Sequence, residues 1–282
     1  MRRLAWWFWL GLALLAVGVA GAAAGVPWSA QNLTPLGWTG VILVADGLLA
    51  ARGRSWFRRF PEELLWAALI SIPSWLLFEL YNRPRFWRDD GPELWWHYQG
   101  LPPWPERGFG YAWAFATITP AVLLLAELFR LWAAKFPRGE GGKVPREVAW
   151  VLILAGFPLG FLPLVWPSPY FAADVWLAYP LILEGVNFLR GQPCLLRDFE
   201  RGDRSRFVAL LAAGGTCGVI WESLNWLASA RWTYTVPFGG GIKLFEMPVL
   251  GYLGFLPFAV AVFDLWVFAR SLLPRRCPAF EG

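Results

Sequence analysis

Residues 220–259 read IWESLNWLASARWTYTVPFGGGIKLFEMPVLGYLGFLPFA, and the fold class follows from this stretch. An apolar run ends in Trp221, Glu222 and Asn225. A short loop carries Arg231, Trp232 and Tyr234, and Glu246 and Pro248 lead into the next apolar run. Ionisable groups at the edge of a long apolar segment are expensive unless paired or used. The stretch therefore reads as two membrane helices joined by a working loop.

Composition extends that reading to the whole chain. It is 57% hydrophobic and 16% charged, against about 25% charged in soluble domains. The apolar residues lie in long blocks, so an all-α polytopic membrane bundle is expected. The 21 Trp suit the two membrane interfaces, where an apolar ring with a polar N–H is at home. Basic loops account for the net charge of +5, and no nucleic-acid partner is needed to explain it. Cys194, Cys217 and Cys277 are too scattered for a disulfide framework or zinc site. His97 is the single histidine, which excludes a centre built from several. Neither a metal nor a redox cofactor is expected. Asn32-Leu33-Thr34 is read as a chance sequon. Gly239-Gly240-Gly241 lacks the Lys-Ser/Thr of a phosphate loop and reads as a turn.

Working outward, eight apolar runs appear, near 4–26, 36–51, 61–82, 109–134, 148–166, 175–190, up to 228, and 249–270. Pro73 is expected to kink the third. Ala22-Ala23-Ala24 also fits a leader cleavage site, but the first run is read as a retained helix because it pairs with the fifth. Arg2 and Arg3, Arg52 to Arg59, Lys135 to Arg146, Arg197 to Arg206, and Arg275 with Arg276 fall on one side. The positive-inside rule then places both termini in the cytoplasm of a cell membrane. The loops after the third and seventh helices lie outside. In the first of these, Asp89, Asp90, Glu93 and Glu106 balance the arginines.

The two halves echo one another. Trp38, Asp46-Gly47 and Arg52-Gly53 have the spacing of Trp176, Glu184-Gly185 and Arg190-Gly191. Glu79-x-x-Asn82 answers Glu222-x-x-Asn225, and Trp96-x-Tyr98 answers Trp232-x-Tyr234. Glu106 answers Glu246, and Glu127 answers Asp264. Residues 1–134 and 148–282 then form two four-helix repeats, with 135–147 as a cytoplasmic linker. An even number of helices per repeat makes them parallel.

Glu-x-x-Asn puts a carboxyl and an amide on one helix face. Glu79 with Asn82, and Glu222 with Asn225, serve either as a site or as helix-end pairs with Arg83 and Arg231. Glu246 either caps the eighth helix through its dipole or faces a cavity. Trp96, Tyr98, Trp221, Trp232 and Tyr234 either anchor the interface or offer ring faces to a ligand. The inner acids Asp46, Glu127, Glu184 and Asp264 are expected to pair with Arg52, Arg130, Arg190 and Arg270. The alternative for them is a proton or cation path.

Residues 220–259 resemble the integral-membrane lycopene cyclases. Trp221-Glu222, Trp232-Thr233-Tyr234, the glycine turn and Glu246 near Pro248 are similar to that family's Trp–acid pair, Trp-x-aromatic step and Pro-x-Glu-Glu motif. A fainter echo lies in 79–121. Glu246-Met247-Pro248 inverts the motif's order and carries one carboxylate. The resemblance implies repeated helical units and a non-redox cyclisation or isomerisation. Glu246 or Glu222 would protonate an alkene, and Glu79 is the equivalent acid of the first half. The partner would be a membrane lipid or polyisoprenoid. Two other functions fit the sequence: a transporter or lipid carrier with a path between the repeats, and a scaffold subunit. In the last, the Trp-rich loop at 83–108 docks a membrane-protein partner or a second copy.

Overall fold

The computed structural model describes residues 3–83, 93–237 and 239–273. Trp87, Asp89, Asp90, Arg2, Arg275, Arg276 and Cys277 lie outside the described residues. Among the described residues, eight helices are long and apolar enough to cross a membrane. They are α1 Trp6–Ala23, α2 Leu33–Ala51, α3 Pro61–Asn82, α4 Glu106–Ala133, α5 Arg146–Val165, α6 Ala172–Leu189, α7 Ser205–Leu227 and α8 Phe255–Ser271. The shortest, α8, has 17 residues and is extended by a 3-10 turn at Val249–Gly254. The longest, α4, has 28 residues, or about 42 Å at the α-helical rise. α3 runs unbroken through Pro73, where Ser74 Oγ donates to the Ile70 carbonyl nearby.

The helices pack in matched pairs: α1 on α2 and α5 on α6, α2 on α4 and α6 on α8, α3 on α4 and α7 on α8. Small residues let the outer pairs close. A Cβ added at Gly11 of α1 would stand 2.7 Å from the Gly40 carbonyl of α2. One added at Gly156 of α5 would stand 2.9 Å from the Ala178 carbonyl of α6. α2 and α6 both end on Arg-Gly, with Gly53 at φ 74° and Gly191 at φ 73°. That left-handed conformation stops a helix and is cheap only for glycine. α4 against α7 forms the main seam between the two sets.

Two loops on one end of the bundle contain short strands that the sequence reading missed. β1, Trp96–Gln99, pairs antiparallel with β2, Arg231–Tyr234, placing Trp96 opposite Tyr234 and Tyr98 opposite Trp232. β3, Lys243–Leu244, and β4, Met247–Pro248, form a small hairpin beyond. β1 and β2 fasten the end of α3 to the end of α7 although 131 residues lie between their chain positions 99 and 231.

The inner acids are not arranged as expected. Asp46 accepts from Trp56 N at 2.6 Å, Phe57 N at 3.3 Å, Ser55 Oγ at 2.7 Å and Trp7 Nε1 at 3.1 Å, rather than from Arg52. Glu127 pairs with Arg54 at 2.5 Å rather than with Arg130. Glu184 accepts from Leu196 N at 2.6 Å rather than from Arg190. Arg270 belongs to Glu63, at 2.8 Å through two nitrogens, rather than to Asp264. For Asp46 and Glu184 the reason is geometric. A side chain one or two turns along its own helix competes poorly with the N-terminal N–H groups of the short helices Trp56–Arg59 and Leu195–Glu200, which the chain folds back beneath the acids.

Candidate functional site

The site is built from the ends of α3 and α7 by two nearly identical sets of hydrogen bonds. Asn82 is fully buried. Its Nδ2 donates to the Trp96 carbonyl at 2.9 Å, and its Oδ1 accepts from Trp95 N at 2.9 Å and Trp96 N at 3.1 Å. Asn225, equally buried, donates to the Trp232 carbonyl at 2.8 Å and accepts from Trp232 N at 2.9 Å. Asparagine is required because both a donor and an acceptor are used. The two amides thus hold the strands. The sequence offered them as ligand contacts or as helix-end pairs with Arg83 and Arg231, and the hydrogen bonds seen here go to backbone.

One turn back along each helix stands the acid. Tyr98 Oη donates to Glu79 Oε1 at 2.5 Å, as Tyr234 Oη donates to Glu222 Oε1 at 2.7 Å. Trp75 Nε1 at 2.8 Å and Trp96 Nε1 at 3.3 Å also donate to Glu79 Oε1. In the second set the indole takes another route, with Trp232 Nε1 donating to Tyr234 Oη at 2.7 Å. Glu222 is fully buried, and its Oε2 has no hydrogen-bond partner among the described residues. Burial, then the acid behind each ring, holds the Tyr98 and Tyr234 phenols well above their usual range. Both therefore stay neutral O–H donors at ordinary pH.

Between the two sets lies a cavity of about 510 Å³. Trp75, Trp96, Tyr98, Trp221, Trp232 and Tyr234 line it. α2 and α4 contribute Trp38, Tyr111 and Phe115, and α6, β4 and α8 contribute Trp176, Met247 and Phe258. Trp38 packs edge-on against Trp221 at 5.7 Å, and Trp176 stacks on Phe78 behind the wall at 5.0 Å. Trp75 lies at the centre, 5.3 Å from Trp221 and 6.0 Å from Phe258. Gly110 lines the wall and has open space where a side chain would begin.

All five aromatic candidates, Trp96, Tyr98, Trp221, Trp232 and Tyr234, line this wall. The acids are placed differently. Glu79 and Glu222 stand one side chain behind it, each reaching it through a tyrosine hydroxyl. Glu106 is on the wall beside Arg107. Glu246 is in the β3–β4 turn, well before α8, so it does not cap that helix; it lies 4.0 Å from Arg231. Glu246 also acts electrostatically on Glu222, so the two acids share one end of the bundle. Trp75, Tyr111, Phe115 and Phe258 were missed. No spacing separates a cavity aromatic from an interface aromatic, though Trp38 and Trp176 were visible through their matched distance from the inner acids.

No family model matches the chain, and no curated protein or solved structure matches it. The chain stands on its geometry as a polytopic membrane protein with buried aromatic and acidic groups near one end of its helices.

Proposed function

We propose that the protein binds an apolar lipid of the polyisoprenoid class in the aromatic cavity, and that its halves are parallel four-helix repeats sharing this one site. Residues 1–134 and 148–282 would be the repeats, joined by 135–147. The observation that carries the reading is the wall itself: indole, phenol and phenyl faces around about 510 Å³, with tyrosine hydroxyls backed by acids as its polar points. Such a wall suits a long hydrocarbon with unsaturation, because ring faces attract both C–H edges and developing positive charge. Each Glu–Tyr pair offers a proton route: where the acid is protonated, the phenol gives its proton to the ligand and takes the carboxyl proton in its place. At the other pair, with its acid ionised, the phenol passes its proton to the carboxylate as it takes one from the ligand cation, which isomerises a bound polyene with no net redox change. Glu79 and Glu222 are then positioning residues for Tyr98 and Tyr234.

The test is native mass spectrometry of the protein in nanodiscs with an added polyprenol or polyene, beside phospholipid alone. Retention of the polyisoprenoid is expected. Gly110→Leu should fill the open part of the wall and lower retention at least tenfold with unchanged unfolding temperature. Retention that ignores Gly110→Leu, or no retention at all, overturns the reading.

A further inference from the structure

A second polar site lies away from the strands, between α6 and α8. Glu184 of α6 and Asp264 of α8 are close enough to act on one another electrostatically where the two helices pack, and Asn187 adjoins Asp264. Asp264 and Asn187 are fully buried, and Glu184 is 6% exposed. Both carboxyl oxygens of Asp264, Glu184 Oε2 and Asn187 Oδ1 have no donor among the described residues. Asn187 Nδ2 is turned to the Asp264 backbone carbonyl at 3.1 Å, which leaves its Oδ1 unmatched. Four acceptor oxygens in one buried place have no protein group to satisfy them, and leaving them so is costly. Two carboxylates this close also repel.

The other half shows what the place normally holds. Asp46 and Gly47 stand before Arg52-Gly53-Arg54 as Glu184 and Gly185 stand before Arg190-Gly191-Gln192. The backbones agree too, with Arg54 N donating to the Leu49 carbonyl as Gln192 N donates to the Asn187 carbonyl. In the first half, Arg54 reaches Glu127. In the second half that cation is replaced by glutamine, and Leu49 by an asparagine. The neighbouring charges are committed elsewhere. Arg206 of α7 pairs with Asp198 at 3.1 Å and lies over Phe263, and from there it acts on Asp264 electrostatically. Arg270 holds Glu63 of α3. Arg190 reaches Ser271 and lies over Phe268, and Arg197 donates to the Phe188 carbonyl. Cys194, a neutral thiol, is the remaining titratable neighbour of Glu184.

We infer that Glu184, Asp264 and Asn187 bind one exchangeable monovalent cation, a proton or a sodium ion, where the first half carries the fixed guanidinium of Arg54. The comparison with Arg54 rests on the duplication proposed above; the four unmatched oxygens do not. Hard oxygen donors of this kind suit a small cation. α6 and α8 also line the aromatic cavity through Trp176 and Phe258. The same two helices thus carry a cation site and a lipid site.

The protein in nanodiscs is equilibrated in sodium chloride or in choline chloride of equal ionic strength. The infrared band of protonated carboxyl groups and the unfolding temperature are recorded without added lipid ligand. In choline, a protonated-carboxyl band distinct from that of Glu79 and Glu222 should be present and should be lost in Asp264→Asn. If sodium removes the band and raises the unfolding temperature, the occupant is sodium; if the band persists in sodium, it is a proton. Gln192→Arg should supply the missing charge, abolish the band and remove any sodium dependence while the fold is kept. This variant also decides the matter should Asp264→Asn fail to fold. A wild-type protein with no such band and no sodium dependence overturns the inference, and does so whether or not the cavity takes a lipid.

Discussion

At the scale of single residues, the two asparagines show how little freedom the site leaves. Asn82 makes three hydrogen bonds to the backbone of residues 95 and 96, all out of water. Each is worth about 1 kcal/mol net, and more when a buried partner is left unmatched. Asn82→Ala should therefore cost about 3 kcal/mol. Asn82→Asp keeps the acceptor but loses the donor to the Trp96 carbonyl, and should cost less, about 1–3 kcal/mol. Chemical unfolding in detergent measures both, and no loss in Asn82→Asp would show that the amide donor is idle. The phenols make a prediction in pH. Tyr98 and Tyr234 ionise far above the usual tyrosine value when folded. In the unfolded chain they lose their protons near about pH 10. The stability they confer is thus fully present below that pH and is lost as pH rises through it, because only the unfolded state releases protons. The unfolding temperature should fall from about pH 9 upward. A Tyr98→Phe, Tyr234→Phe double variant should start lower and fall less. Parallel slopes would count against buried, neutral phenols.

At the scale of elements, the helices could be read from the sequence and the strands could not. A run of about twenty apolar residues has few alternatives in a chain that must satisfy its own backbone in lipid. Seven of the eight expected runs meet helices whose ends fall within about three residues of the reading, the usual uncertainty for a boundary. α8 starts later because Val249–Gly254 tightens into a 3-10 turn. Four-residue strands carry no periodicity, and β1 finds its partner in the other half of the chain. The paired spacing of Trp96-x-Tyr98 and Trp232-x-Tyr234 was visible, but nothing in it said that the two segments touch. The ion pairs failed for a related reason: sequence proximity suggested Arg270 for Asp264, whereas the guanidinium crosses to Glu63 at the start of α3. That contact ties α3 to α8, with both side chains about 5% exposed. Removing one partner strands a buried charge, so Glu63→Ala or Arg270→Ala should cost about 3–5 kcal/mol. A Glu63→Leu, Arg270→Met double variant should recover most of it. If the double variant is as unstable as the singles, the pair's hydrogen bonds rather than its stranded charge are what matter.

At the scale of the whole molecule, the cavity belongs to neither half alone. α2, α4 and β1 of the first half and α6, α8 and β2 of the second all line it. Trp75 of the first half and Trp221 of the second meet between them at 5.3 Å. The aromatic faces that would hold a lipid are covered only when α4 lies against α7 and β1 against β2. The covalent link contributes little to this contact. Residues 139–143 are exposed, and the linker is tied back mainly by Gly139 N to the Gly202 carbonyl and Val144 N to Glu200. Cutting an exposed loop costs chain entropy but no buried contact. Residues 1–140 and 141–282, expressed together as separate chains, should therefore assemble and retain a polyisoprenoid at close to the affinity of the intact chain. Either piece alone should retain none and should aggregate through its uncovered aromatic face. Asn82→Ala in one chain should weaken assembly, because it loosens β1 before it can meet β2. Full retention by one piece alone would place the lipid site within a single half and break the case for a shared cavity.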